Sequence, residues 1–144
     1  MRIAFGADDE NGTTEAVARA IREHHELVPV TEGSWPQLAT AVAGHVAAGT
    51  ADAGVVMCWT GTGTAMAANK VPGVRAAQAT DAWTARRSRL WNDANVLALS
   101  LKRLAPDVAV ECVEAFLAVE SPDEDELTDI EALKALDSSR PPTP

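Results

Sequence analysis

Five short apolar runs, each divided from the next by a stretch with helical spacing, constrain this chain more than any other feature. Residues 2–5 (RIAF) end at Gly6, and residues 13–26 then carry Ala16, Val17, Ala20 and Ile21 at helical spacing. Residues 27–30 are β-rich. Residues 36–48 set Leu38, Val42, Val46 and Ala47 on one helical face, stop at Gly49, and give way to a third run, 53–57 (AGVVM). Residues 74–79 and 95–99 read as two more strands, 81–90 and 106–118 as helices. Short strands that are apolar on both faces, joined by helices of ten or more residues, predict an α/β fold, a Rossmann-like parallel sheet of about five strands in a three-layer α/β/α sandwich. Residues 120–126 (ESPDEDE) read as an acidic linker. A final helix is expected from Thr128, with Glu131 three residues on as a capping box. Residues 1–137 are expected to form one domain, and 138–144 (SSRPPTP) a disordered tail.

The chain has 144 residues, enough for one full core. No apolar run approaches the roughly 18 residues of a membrane span, and no basic-then-apolar leader opens the sequence, so a cytoplasmic protein is expected. The formal net charge of −9 repels nucleic acid and anionic membrane surfaces, and neither is expected as a partner. Cys58 and Cys112 lack the spacing of a disulfide framework or a zinc site and read as free thiols, Cys112 within an apolar helical stripe.

The segment after the third run, CWTGTGTAMAANK (58–70), carries the chemistry. In a parallel sheet, ligands bind beyond the carboxyl ends of the strands, and Cys58 stands at such an end. Gly61 and Gly63 allow a turn whose amides converge, and a helix starting near Gly63 adds the positive end of its dipole. Such a field lowers a thiol pKa, and the thiolate is the reactive form. One base beside an oxyanion-stabilising nest suits proton removal next to a carbonyl, through an enediolate. The same turn also suits a buried structural cysteine, and the glycine spacing does not separate the two.

The ordered motifs CWTGTG, AANK, VPGVRAA and NDANVL between Val55 and Leu97, with IAFGADD near the start and Trp35-Pro36, resemble the family of ribose-5-phosphate isomerase B and the galactose-6-phosphate isomerase subunits. The resemblance implies a homodimer or dimer of dimers whose sites are completed by the partner, acting on a small sugar or sugar-like substrate without metal or cofactor. It implies Cys58 as the base, Gly61, Thr62 and Gly63 as the loop holding the enediolate oxygen, and Thr60 in ring opening. Asp8 would bind sugar hydroxyls and Asn92 the reacting end. Asn69, Lys70 and Arg75 match positions where a structural role is favoured.

The chain departs from that pattern where positive charge is usual. Asp9 stands where the family has a histidine, Trp91 where it has the ring-opening histidine, and Asp125 and Asp129 where it has two arginines that reach a neighbouring subunit's phosphate. A phosphate a few Å from an uncompensated carboxylate is repelled by about 1 to 4 kcal/mol, so weakened phosphate binding is expected. The alternative is displaced ligands, among Arg86, Arg87, Arg89 or Arg103. Trp59 replaces a glycine in the catalytic loop and, with Trp91, is expected to shrink the site or stack on a substrate face. Three functions compete: an isomerase acting on a sugar or polyol-like substrate that lacks a phosphate or carries an amino group, a binding or regulatory protein that lost turnover, and an ordinary ribose-5-phosphate isomerase. The first is preferred, with Cys58 expected to face an open pocket and the substrate expected to be open-chain.

Overall fold

A computed structural model describes residues 1–138. The expected tail lies outside those residues except for Ser138. The apolar runs become five strands: β1 (Arg2–Ala7), β2 (Glu26–Val30), β3 (Ala53–Cys58), β4 (Ala76–Gln78) and β5 (Val96–Ser100). Between and after them lie α1 (Gly12–His24), α2 (Trp35–Ala47), α3 (Thr62–Ala68), α4 (Ala82–Asn92) and α5 (Pro106–Leu117). A 3-10 turn, Glu124–Glu126, leads into α6 (Leu127–Ala135). All strand pairings are parallel, in the order β2-β1-β3-β5-β4.

The alternation of side chains along each strand divides the interior into two layers. Ile3, Val55, Met57, Leu97 and Leu99 pack with α1 and α5 residues such as Val17, Ile21, Val113 and Phe116. Ala4, Val56, Val96 and Ala98 pack on the opposite face with Ala39, Val42, Ala43 and Ala68 from α2 and α3. Every residue of β3 and β5 is buried, which explains why both read as unbroken apolar runs. β2 is a partly exposed edge strand, where Pro29 costs no ladder hydrogen bond.

Two local expectations are corrected, the length of β4 and the capping box at Thr128. β4 keeps only three of the six residues assigned to it, because Val74 and Arg75 belong to the turn that receives Asn69 and Asn95. α3 begins at Thr62, beside Gly63 as expected, since Gly61 already supplies the left-handed turn. The capping box at Thr128 does not form: the 3-10 turn feeds directly into α6, so Thr128 lies inside the helix and Glu131 pairs with Lys134 at 3.0 Å. Among the described residues, no helix is long and apolar enough to cross a membrane. Cys112 is fully buried among apolar side chains, which push its thiol up to about 11.

Asn69 and Arg75 serve the fold. The Asn69 amide donates to the Ala76 carbonyl and accepts from the Ala76 N–H, both at 2.8 Å, and so replaces a strand neighbour at the start of β4. Arg75 donates from Nε to the Asp93 carbonyl at 2.7 Å and pairs with the Asp93 carboxylate at 3.1 Å. Replacing Asn69 with Ala leaves both Ala76 groups without these partners. The expected loss is about 1–3 kcal/mol in urea unfolding, with the denaturant slope unchanged.

Candidate functional site

The chain leaves β1 toward β2 on one side, while β3 lies on its other side. This reversal opens a crevice at the carboxyl ends of β1 and β3, the usual ligand position of an open parallel sheet. Asp8 and Asp9 follow β1 there, and Cys58 closes β3. The Asp8 N–H donates to the Met57 carbonyl at 3.1 Å, which ties the two strand ends together. Partial burial and the neighbouring Asp9 charge raise the Asp8 carboxyl above its ordinary range.

Successive carbonyls of the loop after Cys58 are each fastened to the rest of the edge. The Cys58 carbonyl accepts from the Leu101 N–H at 2.9 Å, the Trp59 carbonyl from the Ser100 hydroxyl, and the Thr60 carbonyl from the Gln78 amide at 2.8 Å. The Gly61 carbonyl accepts from the Ala65 N–H at 3.2 Å and opens α3. Gly61 has φ 78°, and a Cβ there would lie 2.9 Å from the Leu99 carbonyl carbon, so no other residue fits without movement of β5. Gly63 is required for a different reason: the Trp35 ring rests on it, and a Cβ would meet that ring at 2.9 Å.

Cys58 stands at the strand end as expected, but its sulfur does not face an open pocket. The residue is only 5% exposed, though it belongs to neither apolar cluster. The left-handed turn folds the Gly61 N–H back onto the sulfur, 3.2 Å away, and α3 brings the Thr64 hydroxyl to 3.4 Å. Burial pushes the thiol up, but hydrogen bonds from the Thr64 hydroxyl and from the amides of Thr64, Gly61 and Thr60 outweigh it and leave the thiol below its ordinary value. The Gly61 amide, expected to face an oxyanion, therefore serves the sulfur instead. The Thr60 and Thr62 hydroxyls lie 2.7 Å apart at the exposed rim, and the Thr62 amide donates to the Thr60 hydroxyl at 3.4 Å.

Trp59 does not fill the crevice. It is 56% exposed, with the Lys102 ammonium 4.9 Å from its ring centroid. Lys102 and Arg103 lie on the loop after β5, so this edge carries cations as well as Asp8 and Asp9. Arg89 is not available there, because its guanidinium donates to the Ala94 and Val119 carbonyls at 2.7 and 3.1 Å.

Trp91 and Asn92 are not brought to Cys58 within one chain. α4 starts beyond the carboxyl end of β4 and runs back along the sheet, so both residues end at the opposite edge, next to Asp93 and Arg75. Trp91 packs edge-on to Trp83 at 5.6 Å, and the Arg87 guanidinium lies 5.0 Å from the Trp91 ring centroid. Asn92 lines a cleft of about 410 Å³ with Asn69, Arg75, Leu133 and Leu136. Asp125 and Asp129 follow α4 to the far side, where the Asp123 N–H donates to the Leu90 carbonyl at 2.9 Å.

Thr64, Ser100, Gln78 and Lys102 were not singled out in the sequence. A signal for Thr64 existed: a residue six past a strand-end cysteine and two into the following helix points its hydroxyl back toward that strand end. Ser100, Gln78 and Lys102 approach through sheet neighbours distant in sequence, and no local pattern marks them.

Residues 3–133 match the family model described as Ribose/Galactose Isomerase. Ribose-5-phosphate isomerase B of Escherichia coli (strain K12) is 32% identical over 148 residues, covering 96% of this chain and 98% of the relative. D-erythrulose-4-phosphate isomerase 2 of Mycolicibacterium smegmatis is 41% identical over 130 residues, covering 83% of this chain and 86% of the relative. The structure of Clostridium thermocellum ribose-5-phosphate isomerase B superimposes with a TM-score of 0.85 at 32% identity, over 96% of this chain and 99% of the other. That of Mycoplasma genitalium ribose-5-phosphate isomerase B, which holds ribulose-5-phosphate, gives a TM-score of 0.86 at 25% identity, over 96% and 97%. These relatives are sugar-phosphate isomerases that share the five-stranded parallel sheet and its covering helices, and the chain belongs to the ribose/galactose isomerase family.

Proposed function

We propose that the protein is an aldose-ketose isomerase in which Cys58 is the base and the substrate is a short sugar or sugar phosphate that stays open-chain. The observation that carries this reading is the Cys58 sulfur, held at the strand crevice by the Gly61 amide and the Thr64 hydroxyl. The thiolate takes a proton from the carbon next to the carbonyl, and the released electron pair forms the enediolate. The thiol then returns the proton to the adjacent carbon, and a proton passes between the two oxygens, which completes the exchange of carbonyl and alcohol. Thr60 and Thr62 stand at the rim where those oxygens would lie, with Asp8 and Asp9 beyond the end of β1.

Trp91 supports the open-chain reading, because its indole can donate but cannot accept a proton and so cannot serve as a ring-opening base. The likeness to an erythrulose-4-phosphate isomerase agrees with it. A four-carbon sugar esterified at its last oxygen has no hydroxyl able to close a five- or six-membered ring. Lys102 and Arg103 favour an anionic substrate end, while Asp9 opposes it. A second copy of the chain is the proposed source of Trp91 and Asn92, since α4 carries them away from their own Cys58. The protein is accordingly read as a one-domain cytoplasmic homodimer or dimer of dimers.

A second reading, a small-molecule-binding protein without turnover, is favoured by the near-complete burial of Cys58. Proton exchange separates the two. Incubated in D2O with erythrulose 4-phosphate, the parent should exchange hydrogen at the carbon next to the carbonyl by NMR. Cys58→Ala should lose that exchange at least a thousandfold while retaining ligand-induced thermal stabilisation. Exchange undiminished in Cys58→Ala would reject the cysteine base, and stabilisation without exchange in the parent would favour the binding protein. Ribose 5-phosphate, which is mostly cyclic, should turn over poorly, and Trp91→His should improve it. Efficient saturable turnover of ribose 5-phosphate by the parent would remove the open-chain restriction.

A further inference from the structure

Thr64 is the least exposed polar side chain at the crevice, with only 1% of its surface open. Its oxygen lies 3.4 Å from the Cys58 sulfur and 3.3 Å from the Gly61 carbonyl, so one hydroxyl proton has two acceptors within reach. The Gly61 N–H approaches the same sulfur from 3.2 Å, and Gly61 is itself fixed by its close approach to Leu99 and Ser100. Sulfur, amide, hydroxyl and carbonyl are therefore linked in one hydrogen-bonded group, in which rotation of the hydroxyl moves its proton between the two acceptors.

We propose that Thr64 is the positioning residue for Cys58, its hydroxyl turning to the sulfur when the thiolate is present and to the Gly61 carbonyl when the sulfur holds the proton. This rests on the reading of Cys58 as the base. The rotation costs little, because the hydroxyl proton has an acceptor in both states and is never left unpaired in a buried place. No proton passes through Thr64. The proton taken from substrate rests on sulfur, where a solvent hydrogen can replace it before one is returned to carbon, and the hydroxyl exchanges one hydrogen bond for another. Held by the amide and the hydroxyl together, the sulfur keeps one orientation through both half-reactions, which is what a base that must give back its proton to the adjacent carbon requires.

The charged groups on the neighbouring loops are Asp8 and Asp9 after β1 and Lys102 and Arg103 after β5. None of them is the hydrogen-bond donor to the sulfur, so a change at Thr64 leaves them in place.

The test is the pH dependence of Cys58 alkylation by iodoacetamide in the full chain, read by mass spectrometry on the Cys58 peptide so that Cys112 does not interfere. Thr64→Val should move the alkylation midpoint upward and slow the reaction at neutral pH about tenfold, as loss of a hydrogen bond to a charged group implies. Thr64→Ser, which keeps the hydroxyl, should stay within about twofold of the parent. In turnover, Thr64→Val should lower kcat with KM little changed, since Thr64 touches sulfur and not substrate. An unchanged midpoint in Thr64→Val, or a Thr64→Ser variant shifted as far as Thr64→Val, would overturn the proposal. Should Thr64→Val fail to fold, Thr64→Ala takes its place against Thr64→Ser with the same outcomes. Alkylation needs no turnover, so these results stand apart from the Cys58→Ala exchange experiment: the hydroxyl can hold the sulfur even where Cys58 proves not to be the base.

Discussion

The backbone at Gly61 is the constraint on which the site depends. The chain leaves β3 pressed against β5 and must reverse into α3 within contact distance of the Leu99 and Ser100 main chain. Only a left-handed residue without a side chain does this. Everything nearby follows from that reversal: the Gly61 amide swings onto the Cys58 sulfur, α3 starts one residue later, and its first turn supplies Thr64. The carbonyls of Cys58, Trp59 and Thr60 are then satisfied by Leu101, Ser100 and Gln78. A loop whose carbonyls are fastened one after another to β5 and β4 has little room to relax, which is the preorganisation that a charged intermediate needs.

The fold was legible because burial and spacing agree. β3 and β5 are buried on both faces and read as apolar runs, while α1 and α2 carry one apolar face each and read as helices. Where neighbours distant in sequence decide the outcome, the sequence was a poorer guide. β4 is short because Asn69 and Asn95 bind its entry. The last helix ignores an apparent capping box because the preceding turn already continues into it.

The site was legible in part. The position of Cys58 and the lowered thiol follow from a strand end beside a glycine turn, and the Gly61 amide is one of the turn amides expected there, but the Thr64 hydroxyl was missed. Its burial belonged to the alternative of a structural cysteine and not to the preferred reading, because the sequence shows the turn but not the direction in which the amide folds. Trp91 and Asn92 were grouped with Cys58 on family likeness alone, and the path of α4 shows that one chain holds them at opposite edges. Asn69 and Arg75, for which a structural role was preferred, are fully engaged by main-chain groups and Asp93.

The donors to the Cys58 sulfur are all uncharged. Most lowered thiols rest on a nearby cation, whose pull weakens as dissolved salt gathers around it, over a distance of about 8 Å at physiological ionic strength. A buried sulfur held by amides and a hydroxyl escapes that screening. The lowering of the thiol is a property of the turn and not of the surrounding ionic atmosphere. A chain with a net charge of −9 can thus hold a thiol below its ordinary value through the turn itself, and the acidity of its surface is free to vary with little effect on the sulfur.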